Sequence, residues 1–287
     1  MFRICDCQPD MEEQAVSEKI ASSLTGVPKT LLIPLYQRAQ ETQRPDAMLK
    51  DDKAVEIVHK LDADFHQFKL QQHDVVAIVL RVREFDRFTR DFLAAHPDGV
   101  VVHIGCGLDT RFDRLGNGTV EWYDLDLPGV IDLRRKLIGG ESGRYHLLAC
   151  SVFDPEWIGK VSTLLPRPFL FLAEGVLPYF EEAQVKQLLL TLQKTFPGAE
   201  MVFDAHTPWV IWGDNLQLAF SGMDARLRFA LKHGRDVEQW SPGIRMLEEW
   251  HYYGTDEPRV RPFRFMYTIS FLRNSTGIFH YQLGSRP

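Results

Sequence analysis

The sequence has no long apolar run and no excess of positive charge, and each absence excludes a class of protein. No stretch reaches the roughly 18 consecutive apolar residues that a helix needs to span a bilayer. The 287 residues carry a net charge of −6, whereas a nucleic-acid groove needs a basic surface to meet phosphates. The N-terminus also lacks the basic flank and apolar core of a secretory signal. We therefore expect a soluble, cytoplasmic protein that binds neither membrane nor nucleic acid.

Cysteine is scarce and histidine is not clustered. There are four cysteines, and Cys5 and Cys7 have no second pair at a zinc-like spacing. The ten histidines contain no His-x-x-x-His pattern. We expect structural or incidental cysteines and no metal site.

The chain does contain a strand–turn–strand segment over residues 100–126. The β-branched run Val100–Ile104 is typical of a strand buried on both faces of a parallel sheet. Gly105 and Gly107 follow, where the backbone can turn sharply and approach a ligand closely. About 20 residues later, Asp124 and Asp126 lie two apart and so on one face of a strand, where an acid can accept hydrogen bonds from ribose hydroxyls. The segment predicts an adenosine-type cofactor.

The third glycine of the dinucleotide fingerprint is missing. Thr110 takes its place and Asp109 precedes it. A pyrophosphate would lie against the helix N-terminus, and a negative charge at Asp109 would repel it. A cofactor with a positive centre and no phosphate fits better, which favours S-adenosylmethionine. Asp109 as a helix cap, and a nucleotide-free unit whose glycines serve only packing, are the alternatives.

The hydrophobic pattern changes from helical to alternating near residue 98. The predicted N-terminal helices are Glu12–Leu24, Thr30–Gln43, Lys53–Leu61 and Val75–Ala95. The predicted strands are Val100–Ile104, Val120–Leu125, Tyr145–Ala149, Phe169–Ala173 and Met201–Ala205, with crossover helices at Gly129–Ile138, Glu156–Leu165 and Glu181–Phe196. Two further strands, Arg264–Arg273 and Gly277–Leu283, read as a hairpin around Asn274-Ser275-Thr276.

This order predicts an α/β fold of the class I methyltransferase type, a Rossmann-like sheet that is mostly parallel with an antiparallel C-terminal hairpin. We expect an N-terminal helical cap over residues 1–97 and a core over 98–287. Within the core, a Trp-rich insertion follows the fifth strand over about 207–262. Ligands of such sheets bind at the carboxyl ends of the strands.

Three motifs occur in order along the chain and carry a resemblance. They are Ile104–Arg111 (Ile-Gly-Cys-Gly-Leu-Asp-Thr-Arg), Trp122–Pro128 followed by Leu133–Lys136, and Ala173–Tyr179 (Ala-Glu-Gly-Val-Leu-Pro-Tyr). Together they resemble the leucine carboxyl methyltransferase family, and within it the branch of tetracenomycin-type polyketide O-methyltransferases. The likeness runs from Lys29 to Phe203. It implies an S-adenosylmethionine-dependent O-methyltransferase acting on a hydroxyl or carboxylate of a small, aromatic or polyketide-like metabolite.

The resemblance also implies cofactor-binding residues. A lysine and an arginine from the N-terminal helices hold the methionine carboxylate in the family, and these positions correspond to Lys29 and Arg81, with Arg83 as a rival. An arginine fork suits a carboxylate because it donates two parallel hydrogen bonds. Gly105 of the glycine turn approaches the methionine, and the ribose acid corresponds to Asp126. Solvated helix charges are the alternative for the three cations.

The later motifs match less closely. The family commonly has an aspartate beside an adenine-contacting residue after the third strand, where this chain has Ser151 and Val152. Glu174 corresponds to a family acid near the cofactor's amino group, although it could instead pair with Arg111. Tyr179 is interpreted as a wall of the site.

His206 follows the fifth strand and is the candidate general base, with a structural loop histidine as the alternative. A carboxylate acceptor is already ionised and needs no base, whereas a phenol with a pKa near 10 would gain from one.

Three other functions stay open: methylation of a protein C-terminal carboxylate, a nicotinamide-dependent oxidoreductase, and non-catalytic adenosine binding. The oligomeric state stays open as well.

Overall fold

The computed structural model describes residues 20–21, 30–65, 72–220, 225–255, 257–261 and 269–285. Two short strands, β1 (Ile20–Ala21) and β2 (Leu61–Asp62), pair in parallel. The main sheet has seven strands in the order β5-β4-β3-β6-β7-β9-β8. They are β3 (Val100–Ile104), β4 (Glu121–Asp126), β5 (Tyr145–Ala149), β6 (Phe169–Ala173), β7 (Ala199–His206), β8 (Ile244–His251) and β9 (Thr276–Leu283).

The first five strands of this sheet are parallel, and β9 runs antiparallel to both β7 and β8. The helices are α1 (Leu32–Thr42), α2 (Asp52–Lys60), α3 (Gln72–Ala95), α4 (Arg111–Leu115), α5 (Pro128–Leu137), α6 (Pro155–Ser162), α7 (Glu182–Thr195), α8 (Pro208–Phe220) and α9 (Ser270–Arg273). The predicted mostly parallel sheet with antiparallel C-terminal strands is thus confirmed.

Local sequence explains where several helices begin. The carboxylate of Asp51 accepts a hydrogen bond from the backbone N–H of Ala54 at 3.0 Å and so caps α2. Pro128 starts α5, where its missing N–H costs nothing. Glu181 and Gln184 form a capping box at the start of α7.

The sheet has helices on both faces, because its central strands are apolar on both sides. All five residues of β3 and of β6 are buried. One apolar cluster joins alternate residues of β3 to α6 and α7, for example Val102 to Trp157 and Leu189. Another cluster joins the opposite sheet face to Phe85 and the neighbouring apolar residues of α3. This packing lays α3 along the sheet, so that Arg81 reaches Asp204 at the carboxyl ends of the strands while Phe92 lies beside Gly99 at the amino end of β3.

The predicted C-terminal hairpin was wrong in one strand. The antiparallel partner of β9 is β8 (Ile244–His251), and Ser270–Arg273 is helical. Of the predicted strand Arg264–Arg273, residues 264–268 lie outside the described residues, as does the predicted helix Glu12–Leu24 except for its residues 20 and 21. Part of the segment predicted as an insertion, 207–262, is therefore a strand of the sheet. In the described ranges, every helix is too short or too polar to cross a membrane.

Candidate active site

The chain reverses its order across the sheet between β3 and β6, and this switch point forms the centre of the site. Ile104 pairs with Ala173 at the ends of these strands, so the segments that follow, from Gly105 and from Glu174, leave the sheet side by side. Gly105 has a φ of +65°, and a Cβ on it would overlap Cγ2 of Val176. Only glycine allows this close approach of the two segments.

Asp126 ends β4 beside the glycine turn. Its Oδ2 accepts a hydrogen bond from the N–H of Gly107 at 2.8 Å, and its Oδ1 accepts one from the N–H of Leu127 at 2.7 Å. Burial raises the pKa of this carboxyl, although the two backbone hydrogen bonds act in the opposite direction. The carboxylate thus lies where the residue pattern predicts a ribose-binding acid.

Asp124 lies on the same strand but is only 2% exposed, and its carboxylate is bound by neighbouring side chains. Its carboxylate accepts hydrogen bonds from the guanidinium of Arg134, from the Tyr145 hydroxyl at 2.7 Å and from the Trp122 indole at 2.8 Å. Arg134 in turn donates to the carbonyl of Gly107 at 2.8 Å. Asp124 therefore supports the glycine turn through Arg134.

Asp109 is paired, which corrects two expectations about it. It contacts Nη1 of Arg111 at 2.9 Å and Nη2 of Arg114 at 3.2 Å. Helix α4 starts at Arg111, and its N-cap residue is Thr110, which makes no side-chain cap hydrogen bond, so Asp109 is not its cap. Burial acts to raise the pKa of Asp109, but the two arginines hold it well below its usual range. Its charge is compensated, so the repulsion of a pyrophosphate by a bare carboxylate was the wrong physical reason to reject a dinucleotide.

Glu174 follows β6 and pairs with two arginines. Its Oε1 accepts from Nε of Arg81 at 3.1 Å, and its Oε2 accepts from Nη2 of Arg111 at 2.8 Å. The contact with Arg111 is the structural pairing that sequence reasoning left open. Arg83, the rival of Arg81, instead contacts Glu257 at 3.4 Å. Arg81 is thus the arginine of α3 that faces the switch point, and Lys29 lies outside the described residues.

Ser151 and Val152 form a turn after β5. Oγ of Ser151 accepts a hydrogen bond from the N–H of Phe153 at 3.2 Å, and the side chain of Val152 packs into the core. Leu127 and Phe153, which sequence analysis did not select, are 46% and 40% exposed after the neighbouring strands β4 and β5. Their signal was an apolar residue directly after each predicted binding position.

His206 ends β7, and its Nδ1 lies 3.0 Å from the hydroxyl of Thr276 on β9. Burial lowers the pKa of His206, and Arg81 lowers it too, while Asp204 and Asp214 act to raise it. The imidazole is therefore neutral at pH 7. If Nδ1 donates to Thr276, the lone pair of Nε2 is available to accept a proton, which is what a general base requires.

Tyr179 lies in the short turn after β6, at the carboxyl ends of the strands, and its hydroxyl lies 3.3 Å from that of Thr30. Burial raises its pKa, which keeps the phenol protonated. Over the part of the chain that the structure describes, no three His, Cys, Asp or Glu side chains are grouped to hold a metal ion.

Comparison with known proteins assigns the family. The leucine carboxyl methyltransferase family model matches residues 32–193. The tetracenomycin polyketide synthesis O-methyltransferase TcmP of Streptomyces glaucescens is 35% identical over 79% of this chain and 83% of its own. The chain belongs to the leucine carboxyl methyltransferase family.

Two further comparisons concern the activity and the fold. The S-adenosyl-L-methionine-dependent methyltransferase dpfgK of Gibberella zeae is 29% identical over 79% of this chain and 82% of its own. A solved structure from Thermobifida fusca YX, assigned to a methyltransferase, superimposes with a TM-score of 0.55 at 15% identity, covering 87% of this chain and 94% of that one. At that identity the likeness shows the fold alone. The predicted S-adenosylmethionine-dependent methyltransferase is confirmed, and the nicotinamide oxidoreductase is dropped.

Within this methyltransferase fold, two buried residues support the site and were not selected from the sequence. Arg134 joins Asp124 to the glycine turn, and Asp204 accepts a hydrogen bond from the N–H of Gly175 at 2.6 Å. Asp204 also contacts Nη1 of Arg81 at 3.3 Å. Their partners lie between 10 and 123 positions away, outside any motif that joins them, so spacing alone gives no sign of these contacts.

Proposed function

We propose that S-adenosylmethionine lies across the carboxyl ends of β3, β4 and β6, and that the enzyme methylates an oxygen of a small acceptor. The observation that carries this is the placement of Asp126 and the Arg81–Glu174 pair around a single glycine turn. The two ends of the cofactor need these two kinds of group. Ribose hydroxyls donate to a carboxylate, and the methionine carboxylate needs a cation.

The residues present fit the cofactor at each of its parts. Gly105 and Gly107 have positive φ and leave room for a backbone approach to the ligand. Asp126 binds the ribose, and the turn of Ser151 and Val152 faces the adenine. Exposed Leu127 and Phe153 offer apolar surface to the same ring.

At the methionine end, Arg81 and Lys29 bind the carboxylate and Glu174 attracts the ammonium group. Arg81 fits this role better than Arg83, because only Arg81 contacts Glu174. The cofactor supplies the methyl group, which passes from its sulfonium sulfur to the acceptor oxygen. The protein's part is to align the two reactants and exclude water.

The acceptor side lies at the ends of β6 and β7. Tyr179 forms a wall, His206 faces the acceptor, and Trp209 at the start of α8 is 41% exposed. We propose a small, aromatic or polyketide-like acceptor, since TcmP is a polyketide O-methyltransferase. With a hydroxyl acceptor, Nε2 of His206 takes the proton as the new C–O bond forms. With a carboxylate acceptor no proton has to be removed.

A second candidate acceptor is the C-terminal carboxylate of a protein. The observation in its favour is the match of residues 32–193 to the leucine carboxyl methyltransferase model. We place the small molecule first because the relative with 35% identity covers more of the chain.

We also propose a cytoplasmic enzyme without nucleic-acid partners, with a cap over residues 1–97 and a catalytic core over 98–287.

Two measurements test the proposal. In a thermal-shift panel, S-adenosylmethionine and S-adenosylhomocysteine at about 100 times their Kd should each add roughly 2.7 kcal/mol to stability, whereas NAD and NADP should add nothing. An acceptor panel of matched phenols, aromatic carboxylates and peptide C-termini, read by mass spectrometry, then identifies the acceptor. Mild alkaline hydrolysis separates methyl esters from methyl ethers. Stabilisation by NAD without a response to either adenosyl ligand contradicts the proposal.

A further inference from the structure

Asp204 contacts two parts of the site from the end of β7, and its side chain is fully buried. One oxygen accepts from the N–H of Gly175 at 2.6 Å, and the other accepts from Nη1 of Arg81 at 3.3 Å. We propose that Asp204 is a positioning residue that orients Arg81 toward the carboxylate of the cofactor's methionine. This inference rests on the proposed function.

The contacts of Arg81 show how this orientation is fixed. Nε donates to Glu174 at 3.1 Å and Nη1 donates to Asp204. Nη2 packs against Gly175. A Cβ added to Gly175 would lie only 3.3 Å from Nη2, and the φ of this residue is +67°, so the close packing depends on glycine. Among the described residues, none accepts a hydrogen bond from Nη2. Two of the three nitrogens are thus held, and the third remains for an incoming carboxylate.

Asp204 reaches Arg81 by two routes. The direct route is the ion pair. The indirect route is the hydrogen bond to Gly175, which fixes the turn against which the guanidinium packs. A planar guanidinium binds a carboxylate well only when its N–H groups point at it, so a fixed orientation strengthens binding more than charge alone does.

Charge and orientation predict opposite results when Asp204 is neutralised. Asp204 is itself an anion close to the expected position of the cofactor carboxylate, and like charges repel. If Asp204 acted through charge alone, its removal would strengthen cofactor binding. If it positions Arg81, its removal weakens binding. The sign of the change therefore decides between the two roles.

The test is Asp204→Asn, which keeps an oxygen for the Gly175 N–H and loses the charge that holds Arg81. Calorimetry measures the Kd of S-adenosylhomocysteine and of 5′-methylthioadenosine, which has the adenosine and sulfur but lacks the amino-acid part. We expect S-adenosylhomocysteine to bind about tenfold more weakly, and 5′-methylthioadenosine to stay within about twofold of the wild type. The retained nucleoside affinity also shows that the variant is folded.

Glu200→Gln is the matched control, since Glu200 lies at the other end of β7 and pairs with His280 at 2.8 Å. It should change neither Kd. In an Arg81→Met background, Asp204→Asn should cause no further loss of S-adenosylhomocysteine affinity, because Asp204 acts through Arg81. If Asp204→Asn unfolds, Asp204→Glu keeps the charge but moves the carboxylate, and we expect the same selective loss.

Each other outcome is informative. Unchanged or tighter binding of S-adenosylhomocysteine by Asp204→Asn overturns the positioning role, as does an equal loss for both ligands. A further loss in the Arg81→Met background overturns it too. A wild-type protein that binds neither ligand overturns the proposed function itself, and with it this inference.

Discussion

The backbone N–H of Gly107 donates a hydrogen bond to Oδ2 of Asp126 over 2.8 Å, so the glycine turn and the candidate ribose acid form one unit. Asp126→Asn should weaken binding of both S-adenosylhomocysteine and 5′-methylthioadenosine, by about tenfold or more, because both ligands contain the ribose. Since burial raises the pKa of Asp126, wild-type affinity should fall as the pH drops through that pKa. Affinity of the variant should lack this dependence.

Calorimetry over a pH series checks this prediction. Asp132→Asn is the control, because Asp132 is an exposed residue of α5 whose carboxylate pairs with Arg135 at 3.0 Å. Normal nucleoside affinity in Asp126→Asn would remove Asp126 from the ribose site.

Gly105→Ala should abolish cofactor binding and destabilise the protein. The new Cβ would overlap Val176, and the φ of +65° is strained for alanine. Together these effects should cost about 1–3 kcal/mol of unfolding free energy. Gly159→Ala is the matched control, because Gly159 is exposed in α6 and its Cβ would meet open space.

Urea denaturation should show Gly159→Ala as stable as the wild type, or up to about 1 kcal/mol more stable. A Gly105→Ala protein that keeps wild-type stability and cofactor affinity would contradict the close approach of the two segments.

The parallel part of the fold could be predicted because its signals are local. Strands such as Val100–Ile104 and Phe169–Ala173 are buried on both faces and therefore read as unbroken apolar runs. The antiparallel partner of β9 could not be found in this way. Strand β8 lies at the sheet edge with half of its eight residues exposed and only Ile244 buried, and its register shifts between Met246 and Glu248. That irregularity breaks the period of two on which strand prediction depends.

The site residues likewise divide into those that local sequence identifies and those that only the fold brings together. Gly105, Gly107 and Asp126 stand within one segment of sequence, so spacing and residue type are enough to select them. Asp204 contacts Arg81 across 123 positions of the chain, and only the packing of α3 over the sheet brings them together. The predicted repulsion of a pyrophosphate by Asp109 was wrong, because the two arginine partners of Asp109 could not be assigned without the fold.

Asp124→Asn should destabilise the protein by about 3–5 kcal/mol at pH 7, since it leaves the buried guanidinium of Arg134 without its counter-charge. Burial acts to raise the pKa of Asp124, but Arg134 and His103 hold it below its ordinary value of 3.8. A lowered native pKa adds stability that is present above the ordinary value and lost as the pH falls through the native one. The difference between wild type and variant should therefore shrink below about pH 3.8.

Urea denaturation at pH 7 and through the acid range checks both statements. The exposed Asp132→Asn variant should differ from the wild type by less than about 0.5 kcal/mol throughout. An Asp124→Asn protein as stable as the wild type at pH 7 would show that Arg134 needs no counter-charge to support the glycine turn.

His206→Ala separates the two kinds of acceptor. With a hydroxyl acceptor, loss of the general base should lower kcat by about 10²–10⁴ and leave the Kd of S-adenosylhomocysteine unchanged. Burial lowers the pKa of His206 below its ordinary 6.5, so wild-type kcat should fall only as the pH drops below that value. The variant should lack this limb of the profile.

His59→Ala, an exposed substitution on α2, is the control. With a carboxylate acceptor, kcat should be nearly unchanged, because the acceptor carries no proton at neutral pH. Unchanged turnover of a hydroxyl acceptor would remove His206 from the mechanism and leave its bond to Thr276 as a structural contact between β7 and β9.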